Sequence, residues 1–146
     1  MSDSTYPPLP EALVVPIYDN HTHLDLGEDA PDYRELLDRA SSVGVRGVVQ
    51  LGADVQSSRW AAATAAREPR MLAAVAIHPN EAPLLERAGD LDAALVEIDE
   101  LAARPRVRAI GETGLDYFRT DESGRDAQQR SFEAHIDMAK RHDLAL

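Results

Sequence analysis

The chain has 146 residues, 44% of them apolar and none of them cysteine. This suits a single globular domain and excludes disulfides, Cys-ligated zinc, iron–sulfur clusters and thiol nucleophiles. Acidic residues outnumber basic ones by 26 to 15, for a net charge of −11. That balance argues against a basic surface patch for nucleic acid, so an anionic substrate would need positive charge from another source, such as a bound metal ion.

The beginning of the sequence is interpreted as a flexible tail over residues 1–13, which hold Pro7, Pro8 and Pro10, followed by one domain over 14–146. The N-terminal segment lacks the basic region and the long apolar stretch of a secretory signal. No apolar run in the sequence approaches the roughly 18 residues of a membrane span. Together with the absence of cysteine, this predicts a cytoplasmic protein with no membrane partner.

Strands and helices are predicted to alternate along the rest of the chain. In order, the pattern predicts a strand over 14–18, a helix over Pro31–Val43, a strand over Val45–Leu51, a helix over Ser57–Arg67 with Ser57 as N-cap, a strand over Met71–Ile77, a helix over Asp90–Ala103, a strand over Arg106–Gly111, a helix over Gln128–His142 and the first residues of a fifth strand at Leu144–Leu146. Such alternation is typical of parallel strands joined by helical crossovers.

Two α/β architectures use this alternation, the open doubly wound sheet and the (β/α)₈ barrel. The open sheet usually carries a glycine-rich phosphate loop, and no G-x-G-x-x-G or Walker pattern is present. Polar residues cluster instead after the first, third and fourth predicted strands. Both architectures build their sites at the carboxyl ends of the strands, so these clusters are the candidate site.

The first cluster is Asp19-Asn20-His21-Thr22-His23-Leu24-Asp25. Residues i and i+2 of a strand point the same way, so His21 and His23 would project from one face and could share a metal ion. Imidazole suits zinc and other first-row metals, and Asp19 could orient a ring. Two unrelated histidines at a strand end would look the same, so this motif alone leaves metal binding open.

Two further clusters follow the third and fourth strands. His78, in Ile77-His78-Pro79, could bind substrate or simply cap the strand end. Glu112 could point into a central cavity and bridge two metal ions, although a lone glutamate at this position is more often a surface residue in a turn. Among the remaining candidates, His135 is predicted to be partly buried, His142 to complement a helix end, and the aromatic pair Tyr117-Phe118 to wall a pocket or pack in the core.

Together these motifs resemble the TatD family of metal-dependent hydrolases. The resemblance rests on DNHTHLD, AVAIHP, AIGETGLDYF and the helix around DAQQRSFEAHIDMAKRHDLAL, in the family's order, from about Ile17 to Leu146. It implies a (β/α)₈ barrel and deoxyribonuclease activity. It also implies that His21 and His23 are metal ligands, that Glu112 is the carboxylate that bridges two divalent ions, and that His78 and Asp116 lie near the substrate.

The resemblance covers only part of that architecture, because a (β/α)₈ barrel takes about 250 residues. The family's further ligands, two histidines after strands five and six and an aspartate after strand eight, would fall beyond Leu146. We therefore interpret the chain as the first four β/α units, either an N-terminal fragment or an early-terminated copy. Exposed half-barrel edges, and an exposed face of the apolar third strand, then predict self-association and little activity of the isolated chain.

The predicted reaction is hydrolysis of DNA or another phosphodiester by a water activated on Zn, Mg or Mn, with Glu112 in the catalytic centre. Two alternatives stay open. One is hydrolysis of an ester or amide, as in amidohydrolase relatives that bridge their metals with a modified lysine. Against it, Glu112 occupies that place and Lys140, the sole lysine, lies on a helix. The other is an inactive half-barrel that binds metal or a partner.

Overall fold

A computed structural model of the chain describes residues 8–25 and 32–146. Within these residues, the strands are β1 Ile17–Thr22, β2 Val45–Leu51, β3 Met71–Val75 and β4 Val107–Ile110. The helices are α1 Tyr33–Ser42, α2 Val55–Ala65, α3 Ala82–Ala88, α4 Leu91–Ala102 and α5 Glu122–His142. In this part of the chain, no helix has both the length and the apolar character needed to cross a membrane.

The four strands form one parallel sheet in the order β1-β2-β3-β4. After α5 the chain returns beside β4, where Ala109 pairs with Ala145 in a parallel bridge. The backbone N–H of Ile110 donates to the carbonyl of Ala145 at 2.8 Å, which confirms the predicted start of a fifth strand. A doubly wound sheet reverses its strand order at a switch point, whereas steady progression in one direction builds a barrel. The sheet is therefore an arc of a barrel.

The hydrophobic core lies between the helices and one face of this sheet. Val48, Ala73, Val75 and Val107 on the strands join Ala61, Ala65, Ile98 and Met138 on the helices in one buried cluster. Alanines at the helix–sheet contact allow α2 to lie close to the sheet. The alternate strand residues, which include Leu51, Ala74 and Ile110, line a cavity of about 640 Å³ on the opposite face. This cavity is the interior side of the barrel arc.

The third strand differs from the sequence prediction. The strand ends at Val75, and within 71–77 only Leu72 retains appreciable exposure, so the predicted exposed apolar face is wrong. Its inward side chain Ala74 is small, and the larger Leu51 and Phe132 line the same cavity around it. Because the neighbouring side chains are longer, they shield the short Ala74 side chain from solvent even though this face of the sheet is open.

The ends of several elements also differ from prediction. Val14 is 99% exposed and precedes the first strand rather than belonging to it. Helix α2 begins at Val55, because Asp54 is its N-cap and Ser57 completes a capping box as the third helical residue. Sequence periodicity had no apolar signal for the first turns of α5, which begins at Glu122 behind the N-cap Asp121.

Helix α3 was not predicted at all. It has seven residues, begins with Ala82-Pro83 and ends before Gly89, whose φ of 80° is a left-handed conformation that glycine adopts without strain. The predicted start of the first helix at Pro31 lies outside the described residues, and α1 begins at Tyr33 with Asp32 as N-cap. The last residue of the predicted tail contacts the domain, since the Leu13 N–H donates to the Val43 carbonyl at 2.9 Å.

Candidate metal centre

Three of the predicted ligands meet at the carboxyl ends of the two outer strands of the arc. Nε2 of His21 and Nε2 of His23 each lie 3.7 Å from Oε2 of Glu112. The ligand atoms of these three residues all lie within 4.8 Å of one another. Their side chains are between about one-third and one-half exposed, so the cluster is open to solvent and to a substrate.

The two histidines come together because the H-x-H motif extends along the end of β1. Their ring centroids are 5.3 Å apart, with one ring edge directed towards the other. The hydroxyl of Thr22, between them, faces the neighbouring strand and donates to the Val49 carbonyl at 3.0 Å. Oδ1 of Asp19 accepts from the backbone N–H of His21 at 3.1 Å, so the role of Asp19 as a partner of an imidazole ring stays a prediction.

The donor set suits a divalent first-row metal. Two imidazole nitrogens and a carboxylate oxygen are ligands that zinc accepts at about 2.0–2.2 Å, and two such ligands on a tetrahedral ion lie roughly 3.3 Å apart. The observed histidine–glutamate separations of 3.7 Å are slightly wider, and all separations within the group are at most 4.8 Å, so rotations of these exposed side chains would be needed to close them onto one ion. The three residues therefore fit as the first ligands of a metal site.

A buried glutamine that sequence reasoning missed fixes the segment after the motif. Gln50 on β2 is fully buried, and its Oε1 accepts from the backbone N–H of Leu24 at 2.7 Å. Its Nε2 donates to the Asp25 carboxylate at 2.9 Å and to the Leu51 carbonyl at 3.2 Å. The only hint in the sequence is a glutamine inside an otherwise apolar strand, because a buried amide must find partners.

His78 is positioned by an unusual set of backbone partners. The N–H of Ala76 donates to the hydroxyl of Ser58 at 3.2 Å, and the N–H of Ile77 donates to Nε2 of His135 at 2.9 Å. The N–H of His78 itself donates to the Ala53 carbonyl at 2.7 Å. Each of the three residues that follow β3 therefore has a hydrogen-bonded N–H. These bonds hold the backbone that carries the His78 imidazole in place at the rim of the site.

The ring of His78 presents a donor to the cluster. Its Nδ1 accepts from the backbone N–H of Asn80 at 3.1 Å, so a neutral ring carries its proton on Nε2. That Nε2 lies 3.5 Å from Oε1 of Glu112. The two oxygens of Glu112 therefore face different partners, with Oε2 directed to the histidine pair and Oε1 to His78.

Comparison with known proteins decides the family. The model of the family described as "TatD related DNase" matches residues 18–146, which is most of the chain and includes all of the residues above. The chain belongs to this family. The predicted recognition and the predicted barrel fold are thereby confirmed.

Curated members of the TatD family match over roughly half of their own length. An "Uncharacterized metal-dependent hydrolase TatD" of Mycobacterium tuberculosis is 43% identical over 84% of this chain and 47% of its own. A "3'-5' ssDNA/RNA exonuclease TatD" of Salmonella typhimurium is 30% identical, with 84% and 45% covered. The chain thus spans about half the length of the curated relatives it matches.

Solved structures of TatD proteins match in the same proportion. The crystal structure of the TatD homologue YjjV from Escherichia coli superposes with a TM-score of 0.74 at 28% identity, covering 88% of this chain and 48% of that one. A TatD-family hydrolase from Entamoeba histolytica gives 0.68 at 18% identity, with 93% and 49% covered, and supports the fold alone.

Asp116, in the TatD-like segment GETGLDY, lies outside the three-ligand group. Its Oδ1 accepts from the backbone N–H of Arg119 at 3.1 Å and its Oδ2 from the amide of Asn80 at 3.1 Å. The first of these hydrogen bonds lowers the pKa of the Asp116 carboxyl below its usual range. Asp116 therefore braces the loop against the residue that holds His78, while its direct contact with substrate stays a prediction.

The remaining candidates lie away from the TatD centre. His135 is fully buried, and His142 pairs with Asp99 at 2.8 Å instead of merely complementing the helix end. Lys140 is exposed on α5, 3.8 Å from Asp137, which places the sole lysine apart from the ligand group. A modified lysine bridging two metals therefore finds no support here.

Proposed function

We propose that this chain supplies the first part of the metal centre of a nuclease that hydrolyses phosphodiester bonds in DNA or RNA. The observation that carries the proposal is the meeting of His21, His23 and Glu112 at the carboxyl edge of a TatD-type barrel arc. The name of the Salmonella relative, a single-strand DNA and RNA exonuclease, supports the substrate class.

The ligand group would hold a divalent cation through Nε2 of His21, Nε2 of His23 and Oε2 of Glu112. A bound cation supplies Lewis acidity towards a phosphoryl oxygen and lowers the pKa of a water molecule towards neutrality. In a chain of net charge −11, it also supplies the positive charge that a polyanionic substrate needs. Zinc suits the histidines, while a shared carboxylate also accepts magnesium or manganese.

The other residues of the centre act by position and by hydrogen bonding. Oε1 of Glu112 lies beside Nε2 of His78, 3.5 Å away, so a second cation bridged by this carboxylate would replace that contact. The Nε2–H of His78, fixed by Asn80, lies where it can donate to a phosphate oxygen of the substrate. Its role is to bind and orient the scissile group.

Metal binding is the direct test of this proposal. Isothermal titration of the chain with Zn²⁺ and Mn²⁺ should show a site that the double variant His21→Ala/His23→Ala lacks. The matched control is His142→Ala, which removes an imidazole that pairs with Asp99 on the helical side and should leave binding intact. Equal binding by the double variant and the control would exclude this ligand assignment.

We further propose that the chain by itself hydrolyses little. Its described residues bring three ligands together, whereas zinc in proteins is almost always held by four ligands, or by three with a water. Joining the chain to the remaining half of the Mycobacterium relative should raise nuclease activity in the presence of metal. Full activity of the 146 residues alone would contradict this step.

Self-association is the second candidate property, and the open edges of the arc favour it. β1 is an outer strand whose Ile17 and Tyr18 side chains are about half exposed, and the interior cavity opens beside Ala145 and Leu146. A second copy, or the other half of a barrel, would cover these groups. Light scattering after size exclusion should show dimers or larger species; a stable monomer would argue against it.

The proposal places the protein in the cytoplasm, on the basis of its cysteine-free composition. Fractionation of cells that express the natural protein, followed by immunodetection, tests this location. Recovery in a secreted or envelope fraction would overturn it.

A further inference from the structure

A closed cycle of hydrogen bonds joins helix α5 to the loops that follow β3 and β4. Nε2 of Gln128 donates to the hydroxyl of Thr120 at 2.6 Å, and that hydroxyl donates to Oδ1 of Asn80 at 3.5 Å. Nδ2 of Asn80 donates to Oδ2 of Asp116 at 3.1 Å, and the backbone N–H of Asp116 donates to Oε1 of Gln128 at 2.8 Å. Each of the four residues therefore donates to the next one and accepts from the one before it.

Gln128 is the fully buried member of this cycle, whereas the neighbouring Gln129 is exposed. A buried amide must find partners, and Gln128 uses both its oxygen and its nitrogen, which also donates to the Asp116 carbonyl at 3.4 Å. Neither amide of the cycle can turn over. Gln128 would then face the Asp116 N–H with its own donor, and Asn80 would face the Asp116 carboxylate with its oxygen. The cycle therefore fixes one orientation for each side chain.

Burial of apolar side chains does not hold the loop after β4. Leu115 and Tyr117 are nearly half exposed, and Phe118 is 95% exposed. The prediction that the aromatic pair walls a pocket or packs in the core is therefore wrong for Phe118. Tyr117 has the guanidinium of Arg125, on α5, 4.8 Å from its ring centroid. Polar contacts with α5, including those of Gln128, therefore hold this loop in place.

The cycle reaches the metal centre through Asn80. The backbone N–H of Asn80 donates to Nδ1 of His78 at 3.1 Å, which leaves the proton of the neutral imidazole on Nε2. That Nε2 lies 3.5 Å from Oε1 of Glu112. The side chain of the same Asn80 is held by Thr120 and Asp116. Because both contacts belong to one residue, a change in the cycle also affects the imidazole.

We propose that Gln128 is a positioning residue of the metal centre, which orients the imidazole of His78 through Thr120 and Asn80. Gln128 acts through other residues, because its own hydrogen bonds go to Thr120 and Asp116. Without them Asn80 would be free to turn, and the imidazole could then carry its proton on either nitrogen. The inference rests on the proposed nuclease function for the use made of His78, whereas the positioning itself is a property of the metal-free chain.

Nuclear magnetic resonance of the chain in the presence of chelator tests this positioning role. With isotopically labelled histidine at about pH 8, where an ordinary imidazole is neutral, long-range proton–nitrogen spectra show which ring nitrogen carries the proton. The wild-type signals of His78, assigned by their loss in His78→Gln, should show the proton on Nε2. Exchange between two tautomers would bring the chemical shifts of the two ring nitrogens closer together.

Two matched pairs of variants separate the cycle from general stability. Gln128→Met keeps the size of the side chain and removes both of its polar groups, while Gln129→Met makes the same change on the exposed neighbour. Thr120→Val removes the hydroxyl of the cycle, while Thr120→Ser retains it. Gln128→Met and Thr120→Val should bring the two nitrogen shifts of His78 together. They should also speed hydrogen exchange at the Asn80 backbone N–H by at least about fivefold, whereas the two controls should behave like the wild type.

Two results would overturn the proposal. The first is a folded Thr120→Val or Gln128→Met variant with wild-type shifts of His78 and wild-type exchange of Asn80, because Gln128 would then only anchor the loop of Asp116. The second is an equal effect of Thr120→Ser and Thr120→Val, which would show that the hydroxyl does not connect the cycle. Thr120 lies on a partly exposed loop, so its variants decide the question even where Gln128→Met does not fold.

A failure of the proposed nuclease function remains distinguishable from a failure of this inference. The variant His21→Ala/His23→Ala should keep the proton of His78 on Nε2, whether or not these residues bind metal. In a protein that carries the complete barrel, Thr120→Val should lower kcat/KM and Thr120→Ser should restore it. Wild-type kinetics of Thr120→Val together with altered shifts of His78 would refute the use made of His78 and leave its positioning by Gln128 intact.

Discussion

Replacing His135 by glutamine should remove an acid sensitivity of the fold. The imidazole of His135 is fully buried; its Nδ1–H donates to the Ser131 carbonyl at 2.6 Å, and its Nε2 accepts from Ile77 at 2.9 Å. Only the contact with Ile77 requires the neutral ring, because a protonated Nε2 cannot accept a hydrogen bond. Burial lowers the pKa of this imidazole from its ordinary value near 6.5, and the hydrogen bond to Ser131 offsets only part of that effect.

The direction of the pH effect follows from this lowered pKa. Between the folded and unfolded pKa values the unfolded chain binds more protons at this position, so the free energy of unfolding falls as the pH falls. The stabilisation is fully present above about 6.5 and decreases below it. One pH unit below 6.5, the loss from this group reaches up to about 1.4 kcal/mol. Carboxylates held by arginines keep their charge in this range and add little to the change.

Urea unfolding followed by far-ultraviolet circular dichroism at about pH 7.5 and 5.5 measures the loss. At matched concentrations, the wild type should lose more stability on acidification than His135→Gln, which offers a side-chain amide that does not titrate. The control His142→Gln removes an imidazole from the same helix, leaves His135 in place, and should retain the acid-induced loss. Equal losses in the wild type and His135→Gln would refute the reasoning.

Three further outcomes are expected. In a protein that carries the complete barrel, Glu112→Gln should lower the rate of hydrolysis by more than tenfold, or about 1.4 kcal/mol in the activation free energy. The control Glu100→Gln, on the exposed side of α4, should leave the rate unchanged. A smaller loss for Glu112→Gln in kinetic assays would contradict a bridging carboxylate. Asp54→Ala should cost about 1 kcal/mol of unfolding free energy in urea titrations, because it removes the N-cap of α2, and an unchanged midpoint would contradict that role. Gly52→Ala should cost about 1–3 kcal/mol by the same measurement, since a Cβ there would lie 2.5 Å from Cα of Ser58, and a neutral result would mean that the helix shifts freely.

The opening of the site to solvent gives the proposed metal chemistry a physical limit. His21, His23 and Glu112 lie at one rim of an open cavity, and their side chains are partly hydrated. Electrostatic interactions weaken in water relative to a dry site. A second wall over this cavity would strengthen every contact between the centre and a phosphate, which is a physical reason to expect higher activity from a closed barrel.

The sequence by itself determined the elements and the motif that builds the metal centre. Apolar residues recur about every two residues along a strand and about every 3.6 residues along a helix. This pattern identified the four strands and four of the helices in the described residues. The same local rule placed His21 and His23 on one side of β1, because their separation of two residues is a property of the strand alone. Helix α3 was not predicted because it has only seven residues and includes a proline. The first turns of α5 were not predicted because they are polar and show no apolar period.

Only the tertiary structure decided which of two architectures these elements form and what surrounds the motif. Strand order distinguishes a barrel arc from an open sheet, and no local period encodes it. The approach of Glu112 to the histidines, the anchoring of Ile77 by His135, and the locking of Leu24 by Gln50 all join residues far apart in the chain. Such contacts depend on how successive crossovers stack around the sheet. The exposure of Phe118 has the same origin, because a side chain's burial depends on what packs over it and not on its own character.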